Sequence, residues 1–220
     1  MTGTVLVDFD GTISTEDVGN RLFQRITRGA WKEVVDSWKR GEVSSRLCLI
    51  HECSLARATR DEVLEFALEQ PIDSGFPGFL RDVRSRGWKV RVVSDGLELY
   101  IRAILEREGL GDLPVEANLV HFAGDRLMPA FPYAGRGCGA CGNCKRGAVE
   151  AARPGPVVLL GDGLSDRCAA VSADRVFAKN GRDLAAFCRT SGIPYRGFDD
   201  FAELRERWDQ DAPRLLEQRR

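Results

Sequence analysis

Thr4-Val5-Leu6-Val7-Asp8-Phe9-Asp10-Gly11-Thr12 is the stretch on which the reading of this chain turns. A run of apolar or β-branched residues stops abruptly on two acids spaced i, i+2, followed by Gly-Thr. Such a run reads as a strand buried on both faces of a parallel sheet. Its acids then fall at the carboxyl end, where open α/β sheets place their ligands. Alternate residues of an extended chain point the same way, so Asp8 and Asp10 can converge on one site. Two carboxylates held that close repel unless a cation or a proton lies between them. The motif alone leaves two readings open: a magnesium site with a carboxylate nucleophile, or a strand ending in a solvated acidic turn.

Three distant segments bear on that choice. Val90-Arg91-Val92-Val93-Ser94-Asp95-Gly96 is a second apolar strand, ending on a hydroxyl residue. Lys145 follows a cysteine cluster and opens a helical stretch, residues 146–152. Val157-Val158-Leu159-Leu160-Gly161-Asp162-Gly163-Leu164-Ser165-Asp166 is a third apolar strand, ending in Gly-Asp with a second acid one helical turn later. This order of Asp-x-Asp, Ser, Lys and Gly-Asp-x-x-x-Asp resembles the haloacid dehalogenase superfamily, and the resemblance spans essentially the whole chain. It implies an α/β fold with a Rossmann-like, doubly wound parallel sheet.

Composition agrees with that class. The 220 residues suit one α/β core with an insertion, or two small domains, and 43% hydrophobic content is enough for a sizeable interior. A net charge of −1 gives no bulk electrostatic case for nucleic acid or an anionic membrane. Arginine far outnumbers lysine, but the arginines are scattered between acids and form no patch. No apolar run approaches membrane-spanning length, and the sequence enters a strand at once without a signal peptide. The expectation is a soluble cytoplasmic protein with reduced thiols, since its 7 cysteines are an odd number.

After Thr12 the pattern changes. Val18, Leu22 and Ile26 recur at helical spacing, as do Trp31, Val34, Val35 and Trp38, then Leu47 and Ile50, then Val63, Leu64, Ala67 and Leu68. Thr59-Arg60-Asp61-Glu62 carries a capping-box signal. About four helices are expected between residues 14 and 74. A helical block just after the first strand is similar to the cap of the phosphoserine-phosphatase branch. The expected division is a catalytic core of residues 1–13 and 75–220 and a helical cap of residues 14–74. Beyond the cap, helices and strands should alternate: helix 79–86, strand 89–94, helix 97–108, a short strand and hairpin within 115–133, helix 145–152, strand 156–161, helix 165–171, strand 174–178, helix 181–190 and a helical tail.

Cys138-Gly139-Ala140-Cys141-Gly142-Asn143-Cys144 holds two overlapping C-x-x-C units. These fit a zinc or redox site, or simply a glycine-rich turn that aims Lys145. A structural zinc site needs four ligands and only three are local, so His121 or a distant cysteine would have to complete it. Cys48, Cys53, Cys168 and Cys188 read as small core residues on apolar helix faces. His51 reads as a packed or surface residue.

The branch narrows on Cys141-Gly142-Asn143-Cys144-Lys145 and on the segment from Gly161 to Lys179. Both resemble the methylthiopentenyl-phosphate-phosphatase-like group, with similarity also to phosphoethanolamine, phosphocholine and phosphoserine phosphatases. Ser94-Asp95-Gly96 departs from the Ser-Gly-Gly of phosphoserine phosphatases, which weakens phosphoserine as substrate.

The resemblance implies hydrolysis of a small phosphorylated metabolite. Asp8 is then the nucleophile, forming an aspartyl-phosphate. Asp8, the backbone carbonyl of Asp10 and Asp162 hold Mg2+, and Asp166 holds a metal-bound water or Lys145. Asp10 is the acid for the leaving alcohol and then the base for water. Lys145, Ser94 and the amides of Gly11 and Gly96 steady the phosphoryl oxygens. Thr12, Asp95 and Gly96 are candidate substrate contacts, as are Asp17 and Arg46 of the cap, though surface ion pairing would equally account for those two. Asp166 or Ser94 could instead serve as helix caps. The alternative reaction class is a phosphomutase, an isomerase that returns the phosphoryl group to a sugar.

Overall fold

The computed structural model describes residues 3–211. Seven strands form one sheet in the order β4-β3-β2-β1-β5-β6-β7. They are β1 (Thr4–Val7), β2 (Lys89–Leu97), β3 (Val115–Ala123), β4 (Arg126–Ala130), β5 (Val157–Gly161), β6 (Arg175–Lys179) and β7 (Arg196–Phe198). All neighbours are parallel except β3 and β4. This is the expected doubly wound α/β architecture. Strand β1 lies at the centre, where strand order reverses, and that switch point is where such sheets bind ligands. Val7 pairs with Val92 on one side and Leu160 on the other. The register therefore brings the carboxyl-terminal parts of β1, β2 and β5 level, with Asp8 and Asp162 just beyond β1 and β5 and Ser94 within the last residues of β2.

Every residue of β1 is buried, and alternation sends its side chains into two separate interiors. Val5 and Val7 join a cluster with α5 (Phe76–Ser85), α6 (Glu98–Arg107) and α10 (Phe201–Asp211). Leu6 joins a second with α7 (Lys145–Ala151), α8 (Arg167–Ala170) and α9 (Asp183–Thr190). Each aliphatic side chain buried this way contributes about 1.5–3 kcal/mol.

The four helices expected between residues 14 and 74 are α1 (Val18–Ile26), α2 (Trp31–Lys39), α3 (Ser45–Leu55) and α4 (Arg60–Leu68). Thr59 and Glu62 form the capping box read from the sequence. This helical block has no separate interior. Val18, Leu22, Leu49 and Val63 lie in the same apolar cluster as Val5, Val7 and Phe79.

The structure differs from the sequence reading in three places. Residues 115–123 are one continuous strand, parallel to β2 at its start and antiparallel to β4 at its end. Its buried–exposed pattern changes where its neighbours change, which is why it reads as two pieces. Strand β7 was not expected, because three residues, Arg-Gly-Phe, carry no alternation to read. A short turn, Leu164–Asp166, precedes α8, which shortens the helix expected over 165–171. The tail forms α10 to Asp211; the remainder of the tail expectation lies outside the described residues.

Candidate active site

The chain leaves β1 through a wide turn in which the Ser14 amide donates to the Phe9 carbonyl at 3.0 Å. Gly11 has φ 73°, and a Cβ there would lie 2.4 Å from the Asp162 carboxylate. Glycine thus lets the turn and the end of β5 close on each other. Asp8, Asp10 and Asp162 come to one cavity of about 450 Å³ between the strand ends and the helical block.

Lys145 organises the floor. It is fully buried, and its Nζ lies 2.7 Å from Asp8 Oδ1 and 2.6 Å from Asp166 Oδ1. It also donates to Ser165 Oγ at 3.0 Å. Burial alone would lower its pKa, but the carboxylates of Asp166 and Asp8 outweigh it and hold the ammonium above its ordinary value. Asn143 sets the approach of Lys145. Its backbone amide donates to Asp95 Oδ1 at 2.7 Å, and its side chain donates to the carbonyls of Ser94 and Glu116 at 3.1 and 2.8 Å. The lysine loop is thereby latched to the ends of β2 and β3.

Carboxylates outnumber this one ammonium. The Asp8 carboxyl is raised well above its usual range, by burial first and then by the charge of Asp166, despite Lys145. Asp162 is pushed up to about 7, by burial and again by Asp166. One oxygen from each of Asp8, Asp162 and Asp166 lies within 4.8 Å of the others. An all-oxygen donor set with surplus negative charge suits a hard divalent cation. The donors are not equal. Asp166 accepts from the Asp162 and Gly163 amides at 3.1 and 3.0 Å as well as from Lys145. Asp166 therefore fixes the lysine and its own loop, and does not cap α8. Asp162 accepts only weakly from Thr12, at 3.3 Å.

Asp10 is held apart from Lys145. Tyr100 donates to its Oδ2 at 2.7 Å, Ser94 to the same oxygen at 3.3 Å, and the Gly19 amide to Oδ1 at 3.1 Å. Burial, then the charge of Asp17, push its carboxyl up to about 7 against these hydrogen bonds. At that value it carries a proton in a substantial fraction of molecules near neutral pH. Tyr100 escaped the sequence reading. The only signal was its place on the helix that follows Ser94-Asp95-Gly96.

The remaining candidates divide. Thr12 is fully buried behind Asp162 and does not line the cavity. Gly11 donates to Ser14 Oγ and Gly96 to Ser94 Oγ, so the two amides expected to meet phosphoryl oxygens are engaged within their own loops. Gly96 also touches Asp10, since a Cβ there would lie 2.6 Å from Oδ2. Burial raises the Asp95 carboxyl, and the Ser45 hydroxyl, its neighbour in the cavity lining, works against that rise; among the described residues Asp95 Oδ2 and Ser45 Oγ face each other without a well-formed hydrogen bond. Asp17 lines the mouth and caps α1, accepting from the Asn20 amide at 2.7 Å. Arg46 is half-exposed and outside the lining; the cation of the helical block that reaches the cavity is Lys39, on α2. His51 and His121 are exposed, on α3 and β3. Cys168 was expected in the core and is not there. It is half-exposed and stands with Cys138, Cys141 and Cys144.

The family model described as haloacid dehalogenase-like hydrolase matches residues 5–170. The chain belongs to that family. Among curated relatives, the 2-hydroxy-3-keto-5-methylthiopentenyl-1-phosphate phosphatase of Exiguobacterium sp. is 30% identical, over 93% of this chain and 96% of its own. Pdp3-interacting factor 1 of Schizosaccharomyces pombe is 28% identical, over 91% and 92%. A solved structure described as a phospho-aspartyl intermediate analogue of phosphoserine phosphatase superposes with a TM-score of 0.74 at 18% identity, covering 93% of this chain and 98% of that one. This haloacid dehalogenase-like hydrolase is a phosphatase. Among the described residues, no helix is long and apolar enough to cross a membrane.

Proposed function

We propose that this phosphatase hydrolyses the phosphate monoester of a small metabolite through a phosphorylated Asp8, with a magnesium ion held by Asp8, Asp162 and the backbone carbonyl of Asp10. The observation that carries this reading is the gathering of Asp8, Asp162 and Asp166 around a single ammonium, Lys145, at the end of the central strand. Bound magnesium would supply the positive charge that lets a carboxylate approach a phosphoryl group. Asp8 Oδ1 is occupied by the Phe9 amide and by Lys145, which leaves Oδ2 to attack phosphorus. The bond from phosphorus to the leaving oxygen breaks as Asp10 gives that oxygen its proton. Asp10 then takes a proton from water, the water oxygen attacks phosphorus, the Asp8–phosphorus bond breaks, and inorganic phosphate leaves. Lys145 holds Asp8 in line throughout, and Asp166 holds Lys145.

For the substrate, the reading is a phosphorylated methylthio-ketose of the kind named for the Exiguobacterium relative. Phe23, Trp38 and Leu49 offer the cavity an apolar wall for a thioether tail. Asp95 Oδ2 and Ser45 Oγ, only loosely paired with each other, are placed to bond a hydroxyl beside the phosphate. One observation favours a second reading, an amino-alcohol phosphate: Asp17 and Glu52 place two carboxyl groups on the helical side of the cavity. Glu52 is pushed up to about 8, by burial and then by Asp17, so it is mostly protonated near neutral pH, and an incoming ammonium would draw it into the ionised form and pair with it.

Phosphate release from a panel of phosphorylated metabolites, with magnesium and after its removal, tests both layers. The expected result is metal-dependent release with the methylthio-ketose phosphate ranked first. A lead for phosphoethanolamine or phosphoserine would select the second reading. Metal-independent release, or an isomerised sugar phosphate with no free phosphate, would overturn the mechanism.

A further inference from the structure

The turn that delivers Lys145 gathers a second group of ligands outside the cavity. Cys138, Cys141, Cys144 and Cys168 place their Sγ atoms all within 4.8 Å of one another. None of the four lines the active-site cavity. Three come from one turn and the fourth from α8, which packs against α7. We propose that these four thiols form a zinc site of the closed, tetrathiolate kind.

Geometry supports this. Tetrahedral zinc with sulfur at about 2.3 Å separates its ligand sulfurs by roughly 3.8 Å. The Cys138 and Cys141 sulfurs are 3.4 Å apart, and the whole set falls within the 4.8 Å limit, so small adjustments complete the tetrahedron. The turn is built to bring them in. Gly137 and Gly139 adopt φ of 69° and 75°, and a Cβ at Gly137 would lie 2.5 Å from Cys144 Sγ. The Cys138 amide points at Cys144 Sγ, 3.4 Å away, an arrangement that favours the thiolate. On loading, the four thiols release four protons to solvent as their sulfurs take up one Zn2+. No redox partner is needed. A disulfide between Cys138 and Cys141 would use only two of the four and leave the convergence of Cys144 and Cys168 without a purpose.

The site has a consequence for the floor of the cavity. Cys144 precedes Lys145, and Cys168 follows two residues after Asp166. Zinc bound here ties together the two segments whose side chains meet as the Lys145–Asp166 pair.

Elemental analysis of the intact chain tests the proposal. The protein is purified under reducing conditions, supplied with zinc and dialysed to remove weakly held ions. The expected result is about one zinc per chain, kept in Cys188→Ser and in Asp162→Asn and lost in Cys138→Ser and Cys168→Ser. Should those variants fail to fold, cobalt exchanged into the unaltered chain decides. A four-thiolate site gives strong near-UV charge-transfer absorption together with the visible bands of tetrahedral cobalt. Zinc kept in Cys168→Ser, zinc lost in Asp162→Asn, absence of zinc from the supplied chain, absence of the charge-transfer band, or a Cys138–Cys141 disulfide in the reduced preparation would each overturn it.

Discussion

The floor of the cavity and its roof obey different rules. On the floor, polar groups are spoken for by the protein itself. Lys145 has three partners, Asp166 three donors and Asp10 three donors. Where the two sides meet, Asp95 of the floor and Ser45 of the roof face each other without a well-formed hydrogen bond. A buried polar atom left wholly unpaired costs about 1–3 kcal/mol, and this loose pair gives up part of that, so a ligand hydroxyl entering between the two groups improves their bonding. On the proposed function, the floor is pre-organised for chemistry common to any phosphate ester, and the roof supplies the contacts to a particular alcohol.

The hardest way to break the contrast is to disarm the floor. Asp8→Asn removes the attacking oxygen's charge and leaves Lys145 with one carboxylate in place of two. Turnover is expected to fall by about ten-thousand-fold or more, the scale seen when a covalent nucleophile is lost. Single-turnover phosphate release measures it, and near-normal release would place the nucleophile elsewhere. Lys145→Met should behave differently, costing stability as well as turnover. It strands the Asp8 and Asp166 carboxylates in a fully buried site, and removing one partner of a buried pair destabilises by about 3–5 kcal/mol. Urea unfolding would register the loss, and an unchanged midpoint would mean the site is wetter than its burial implies.

Asp10 and its tyrosine give a graded test. Asp10→Asn should slow turnover by about 100- to 10,000-fold, most severely for esters whose leaving alcohol needs a proton. Tyr100→Phe removes one 2.7 Å hydrogen bond and leaves the carboxyl in place. A hydrogen bond to a charged group contributes about 1.5–3 kcal/mol, so the loss should be roughly ten- to a hundred-fold. Comparing alkyl with nitrophenyl phosphate for both variants separates proton transfer from folding damage. Equal losses on the two esters would deny Asp10 its proton-transfer role.

How far the sequence could be read follows the same division. Strands β1, β2 and β5 were legible because their apolar runs end on chemistry-bearing residues, so one pattern placed both fold and floor. The capping box at Thr59 was legible because it is local in sequence. Tyr100 was not, because its partner Asp10 lies 90 residues earlier. Cys168 was misplaced for the same reason: a cysteine on a helix next to alanines looks like a core residue until the turn at 138–144 folds onto it. Residues 14–74 were legible as four helices but not as a wall of the cavity. Periodicity marks which face is buried, not which residue of a half-buried first turn, Ser45 or Arg46, looks into the cavity.

That last ambiguity yields the gentlest test. Ser45→Ala and Asp95→Asn each alter one member of this loosely bonded pair without touching Asp8, Lys145 or Asp166. Asp95→Asn keeps Oδ1 as a possible acceptor for the Asn143 amide, so the lysine latch can survive the change. For nitrophenyl phosphate, whose leaving group offers these atoms nothing, kcat/KM is expected to shift by no more than about two-fold. For the preferred metabolite each variant should lose roughly ten-fold, the size of one neutral hydrogen bond. Arg46→Ala serves as the internal standard, because its side chain lies outside the cavity lining and should leave both substrates unchanged. If Arg46→Ala moves the ranking while Ser45→Ala and Asp95→Asn do not, the cap must shift on binding enough to exchange the two neighbours, and the roof would be a moving part instead of a fixed wall.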